Sequence, residues 1–252
     1  MKKLWLALIP CLAIAAQAQP ATQSKDTPVL LVHGFMTYDS ASINCGQLWG
    51  PILKELKTQG FTNVKTVTYY KASKNCDVNL AELYSNTGRD NTWKELGRTL
   101  SNYVFDHYTK YNQKVDLMGH SMGGLVIRSA VQGGSEYESG FRNILVEDAV
   151  TIATPHKGSD FANLCIHRQC KSLQVSHPNF KWLASNPNPQ SLMKTNWHLQ
   201  ASNLDSLTTI DSGFAMNVDA QHKKLFKGLS HNAQLRNKAS IYHAVKSLVK
   251  DK

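Results

Sequence analysis

Apolar and polar positions fall into two kinds of block along the chain. Short runs rich in β-branched residues, bounded by turn formers, read as buried strands: "TPVLLVHGF" (27–35), "VKTVTYY" (64–70), "KVDLMG" (114–119) and a strand within "ILVEDAVTIAT" (144–154). "TNWHLQASNLD" (195–205) reads as a strand running into a loop, and "KLFKGLSHNAQL" (224–235) as a short strand and then a loop. Helical patterns lie between them. In "WGPILKELKTQG" (49–60), Ile52, Leu53 and Leu56 share a face, Pro51 suits a first turn and Gly60 a stop. Thr92-Trp93-Lys94-Glu95 has capping-box spacing and opens a helix with Trp93, Leu96, Leu100, Tyr103, Val104 and Tyr108 on one side. A helix after Ser121 is expected to stop at Gly133-Gly134, and "ASIYHAVKSLVK" reads as a terminal helix. The polar stretch 71–91 reads as a long loop.

Strand, helix, strand, helix at these intervals predicts an α/β fold with a mainly parallel sheet and helices on both faces. Such sheets bind ligands beyond the carboxyl ends of their strands. His33-Gly34, Gly119-His120-Ser121 and Thr154-Pro155-His156 all fall at such ends.

Gly119-His120-Ser121-Met122-Gly123 matches G-x-S-x-G between a predicted strand and a predicted helix, the context in which the pattern marks a nucleophile. A serine hydroxyl is a poor nucleophile near neutral pH and needs a general base beside it. The base is expected late in the chain, in a loop after the last strand. His231 fits; His222 precedes that strand and His243 falls within the terminal helix. A carboxylate should hold the imidazole tautomer. Asp205, just past the strand at 195–205, is preferred to Asp211 and Asp219, which remain alternatives. Two amides should face the developing oxyanion: the N–H of Met122, next after the nucleophile, and the N–H of Phe35 in the loop after the first strand. His33 is read as ordering that loop rather than moving a proton.

Composition changes the picture in three ways. Lys2 and Lys3, the apolar run Leu4–Ala16 and Ala16-Gln17-Ala18 form the pattern of a cleaved signal peptide over residues 1–18. The chain is therefore expected to be secreted or periplasmic, with one domain over 19–252. In an oxidising compartment the four cysteines after the leader should form two disulfides, and the shortest loops pair Cys45 with Cys76 and Cys165 with Cys170. The net charge is +10, and losing Lys2 and Lys3 leaves +8. The lysines are scattered, without a basic helix or aromatic-basic stripe, so a solvated surface tolerant of anionic lipid is expected rather than a nucleic-acid partner.

"VHGF", "GHSMGG" before a helix, "TPHKGSDFA" and the late histidine resemble the secreted bacterial lipases and esterases of the α/β-hydrolase superfamily. The similarity is to the compact extracellular type that lacks the amino-terminal antiparallel hairpin. It implies carboxylic ester hydrolysis through an acyl-enzyme, with Ser121 as nucleophile, His231 as base, Phe35 and Met122 as oxyanion donors, and no cofactor. "DSLTTIDS" (205–212) departs from the family's pattern around the acid. The calcium-binding aspartates of larger relatives have no counterpart, so no metal is expected. An ester or lipid substrate is the expected partner, and separately a monomer with transient contact at a lipid interface is expected. Residues 157–195 read equally as a partial lid or as a surface excursion stapled by Cys165 and Cys170. Polyester cleavage, an amidase on the same triad and a non-catalytic binding protein on this fold are the competing functions.

Overall fold

A computed structural model describes residues 25–36 and 42–249; the expected signal peptide lies outside them. Among the described residues the strands are β1 (Val29–Val32), β2 (Val64–Thr68), β3 (Val78–Asn79), β4 (Val115–His120), β5 (Val146–Ile152), β6 (Asn196–Ser202) and β7 (Lys223–Phe226). They form one seven-stranded sheet in the order β3-β2-β1-β4-β5-β6-β7, and every neighbouring pair is parallel. β1 and β4 are buried at every position, as expected for strands covered on both faces. The described residues form an α/β-hydrolase fold, and no antiparallel hairpin precedes β1 among them.

The helices are α1 (Cys45–Thr58), α2 (Leu80–Leu83), α3 (Trp93–His107), α4 (Met122–Ser135), α5 (Arg168–Lys171), α6 (Pro178–Ser185), α7 (Ile210–Gly213) and α8 (Lys238–Lys246). α3 and α4 pack on each other, with α4 also against β1, β4 and β5; α1 and α8 pack together at the other face.

Several elements differ from the sequence expectation. α1 starts at Cys45, capped by the Asn44 side chain on the N–H of Gln47, so Pro51 lies inside the helix. Proline removes one helical hydrogen bond, leaving the carbonyl four residues earlier without its donor. That carbonyl, on Gln47, accepts from Arg236 instead, at 3.3 Å. α4 continues through Gly133 and Gly134 to Ser135. Both glycines are needed for close approach: a Cβ on Gly133 would strike the Phe141 ring, and one on Gly134 the backbone of Arg142. The stretch 71–91 holds β3 and α2, too short for periodicity to reveal. The capping box of α3 is present, with the Glu95 carboxylate accepting from the Thr92 N–H at 2.7 Å. Both disulfides, Cys45–Cys76 and Cys165–Cys170, are paired as the shortest loops require.

Residues 157–195 hold α5 and α6 and are fastened to the α3–α4 layer. The Trp93 indole donates to the Ser172 carbonyl at 2.7 Å, and Gln132 to the Trp182 carbonyl at 2.8 Å. Arg128, fully buried, donates to the Leu183 carbonyl at 2.9 Å. Arg168 clamps the Glu95 carboxylate with two bonds of 2.8 Å.

Candidate active site

Ser121 stands on the turn between β4 and α4 with φ 55° and ψ −128°. Such a backbone conformation costs about 1–3 kcal/mol for a residue with a side chain and persists only where the surroundings enforce it. Here small residues let strand and helix close on each other. A Cβ on Gly119 would lie 2.6 Å from the Gly123 backbone, and one on Gly123 would run into the Val32 carbonyl. The Ser121 N–H is held by the Ile152 carbonyl of β5 at 2.8 Å. The turn therefore carries the hydroxyl out beyond the sheet.

His231 follows β7, and Asp205 follows β6, its neighbour in the sheet. The Nδ1 of His231 lies 2.9 Å from Oδ2 and 3.0 Å from Oδ1 of Asp205. A carboxylate can only accept, so Nδ1 carries the hydrogen and Nε2 is left to take a proton. Asp205 is further held by the N–H groups of Leu207 (2.9 Å) and Thr208 (3.0 Å) and by the Gln234 amide (3.0 Å). Behind this pair, His120 Nε2 donates to the His231 carbonyl at 3.3 Å. Burial, followed by the charge of His231, pushes the His120 pKa well below the usual histidine range, so this ring stays neutral.

Ser121 and His231 line one cleft of about 340 Å³, walled by Phe35, Met36, Leu48, Phe161, Leu173 and Leu207. Gly34 presses against the nucleophile turn: a Cβ there would sit 2.7 Å from Ser121 Cβ. The N–H of Met122 belongs to the first turn of α4, which has no acceptor within the helix. The N–H of Phe35 donates to no acceptor among the described residues. Both candidate oxyanion residues thus adjoin Ser121 in sequence or across the cleft.

The rival residues stand elsewhere. Asp211 is exposed and paired with Lys157 Nζ at 2.7 Å. Asp219 is exposed, and His222 meets His198 at 3.3 Å between their Nδ1 atoms. His243 lies inside α8. Sequence reading missed Gln234, which sits three residues beyond His231 and has no motif to mark it. Among the described residues, the carboxylates Asp116, Glu147 and Asp148 form the one group suited to hold a metal, and they lie toward the opposite ends of β4 and β5. A hydroxyl at a strained crest and a carboxylate-oriented imidazole lining one cleft, with the Phe35 and Met122 amides beside the hydroxyl, can carry out covalent acyl transfer.

A family model described as "Putative serine esterase (DUF676)" matches residues 23–209. A triacylglycerol lipase of Burkholderia plantarii is 31% identical over 168 residues, covering 63% of this chain and 40% of that protein. Lipase 2 of Staphylococcus aureus is 29% identical over 191 residues, 59% of this chain and 26% of that protein. The chain thus spans less than half the length of these curated relatives. Among solved structures, the mature lipase BlEst2 of Bacillus licheniformis superposes with a TM-score of 0.64 at 16% identity, covering 93% of this chain and 95% of that one. Lipase B of Aspergillus fumigatus gives 0.58 at 16% identity, over 91% and 55%. At such identities these two likenesses speak for the fold.

Proposed function

The chain belongs to the serine-esterase family whose model it matches, and from that premise we propose that it is an exported enzyme hydrolysing carboxylic esters with apolar acyl groups. The observation that carries this reading is the bond from His231 Nδ1 to the Asp205 carboxylate, made at the cleft that also holds Ser121. In this reading His231 Nε2 takes the Ser121 proton as the hydroxyl oxygen attacks the ester carbonyl. The N–H groups of Phe35 and Met122 hold the oxyanion. The C–O bond to the alcohol breaks, the alcohol leaves with the proton from His231, and the acyl group stays on Ser121. Water, deprotonated by the same imidazole, then releases the acid and restores the serine.

A cleft of about 340 Å³ is near the small end for ligand sites, which supports short or medium acyl chains. The basic, apolar, small-x-small pattern of residues 1–18 supports export. The test is hydrolysis of p-nitrophenyl esters of increasing chain length by the wild type and Ser121→Ala. Wild-type kcat/KM should be higher on short and medium acyl chains than on long ones. Ser121→Ala should lose on the order of 10⁴-fold or more in kcat while melting as a folded protein. A Ser121→Ala variant with wild-type turnover would refute the assignment.

A further inference from the structure

We infer that Tyr69, with the Thr68–His33 pair, is a positioning residue that aims the N–H of Phe35 at the oxyanion. This rests on the esterase reading above and assigns a role to side chains outside the triad. The peptide linking Gly34 to Phe35 supplies both groups in question: its carbonyl belongs to Gly34 and its N–H to Phe35. The peptide is trans, so the two point in opposite directions, and fixing one fixes the other.

The Gly34 carbonyl is held from inside the fold by two donors. Tyr69, fully buried just past β2, shares its hydroxyl hydrogen between the His33 carbonyl at 2.7 Å and the Gly34 carbonyl at 3.0 Å. His33 Nδ1 lies 2.7 Å from the same Gly34 oxygen and must donate to it, since a carbonyl only accepts. That leaves Nε2 as the acceptor of the Thr68 hydroxyl, at 3.0 Å. Thr68 in turn lies 2.9 Å from the Ser73 hydroxyl, which accepts the Ile43 N–H at 3.2 Å. Every hydrogen in this chain has one consistent direction, and it runs toward the Gly34 carbonyl. The Tyr69 and His33 rings also pack 4.2 Å apart between centroids.

Burial drives the His33 pKa down to about 4, against the opposing effect of its bond to Gly34, so the ring is neutral at working pH and keeps this tautomer. Burial, with Tyr70 beside it, pushes the Tyr69 phenol well above its usual range, so it remains a donor. With its carbonyl drawn into the core, the peptide turns the Phe35 N–H the opposite way, in this inference toward the cleft that Phe35 and Ser121 both line. Two bonds on the carbonyl also polarise the peptide and strengthen its N–H as a donor. An oxyanion donor works because it is oriented before charge develops.

Three variants test this in the full chain: Tyr69→Phe, Thr68→Val and Thr68→Ser. Tyr69→Phe and Thr68→Val should each lower kcat about 10- to 100-fold, less than outright loss of an oxyanion donor, with KM within about twofold. The inhibition constant of an alkylboronic acid, which forms a tetrahedral adduct on the serine, should rise in parallel. Thr68→Ser keeps the hydroxyl and should restore kcat and boronate affinity. The pH profile should not move, because the Asp205–His231 pair is untouched. A folded Tyr69→Phe with wild-type kcat and boronate affinity overturns the inference, as does a Thr68→Val indistinguishable from Thr68→Ser. Should Tyr69→Phe fail to fold, the Thr68 pair decides alone. The Ser121→Ala control separates the two levels. If that variant is active, the esterase reading fails. If it is inert while the positioning variants behave as wild type, only this inference fails.

Discussion

Asp205 and Asp211 are six positions apart and both follow β6, yet their surroundings differ in kind. Asp205 is buried and meets four donors, from His231, Leu207, Thr208 and Gln234. Asp211 is open to water and faces a lysine across the surface, an arrangement worth about 1 kcal/mol at most. Exchange of each for asparagine should therefore divide them. Asp205→Asn keeps the shape but offers an amide where the imidazole needs a carboxylate, and kcat should fall about 10⁴-fold through the wrong tautomer. Asp211→Asn should stay within about twofold of wild type. Steady-state rates on one soluble ester decide it; the reverse ranking would move the acid to Asp211.

β4 and β5 pair out of step near their starts. Val115 pairs with Val146 but Leu117 with Ala149, so β5 carries one extra residue opposite Asp116. This bulge gathers Asp116, Glu147 and Asp148. Asp116 is fully buried; its Oδ1 accepts the Asp148 N–H at 3.0 Å, and its Oδ2 has no hydrogen-bond partner among the described residues. Burial, reinforced by Asp148, raises its pKa well above the usual carboxylate range. A raised folded-state value means that the native state binds the extra proton. Stability then falls as pH climbs from the unfolded carboxylate range toward the folded value, and the cost persists above it. Asp116→Asn removes that cost and keeps an oxygen for the Asp148 N–H. Its melting temperature should exceed wild type at pH 7, by about 2–4 °C for each 1 kcal/mol recovered, and the gain should shrink near pH 4. A variant less stable at pH 7 than wild type would show that the carboxylate is wanted there.

Across the molecule, the strand order reverses direction between β1 and β4, and the crevice at such a point is where open α/β sheets hold ligands. The Gly34–Phe35 loop leaves β1 and Ser121 leaves β4, so the two sides of the cleft come from this pair of adjacent strands. Asp205 and His231 arrive from β6 and β7 further along the sheet. The Cys45–Cys76 bridge ties the start of α1 to the segment before β3, closing a separation of 31 residues at the β2 side. Chain-entropy reasoning gives such a closure about 3–4 kcal/mol. Cys45→Ser with Cys76→Ser should lower the denaturant midpoint accordingly without changing the ester preference. An unchanged midpoint would mean that α1 is held by its packing on α8 and β2 alone.

Features that depend only on neighbours along the chain were legible in the residue pattern. β1, β4 and β5 show as apolar runs, α3 as a capping box before an apolar face, and the Ser121 turn as small residues at fixed spacing, because each is decided within a few residues. It also narrowed the candidate base to His231, since chain order in such a sheet leaves few positions after the last strand. Tertiary structure decided the rest. β3 and α2 are too short to carry a period, and α1 keeps Pro51 inside because Arg236, distant in sequence, serves the vacated carbonyl. The pairing of Asp205 with His231 depends on β6 and β7 lying side by side. The hold of Tyr69 on the Gly34 carbonyl depends on β2 lying beside β1. Hydrogen bonds that join loops from neighbouring strands are set by sheet order, which no local pattern encodes.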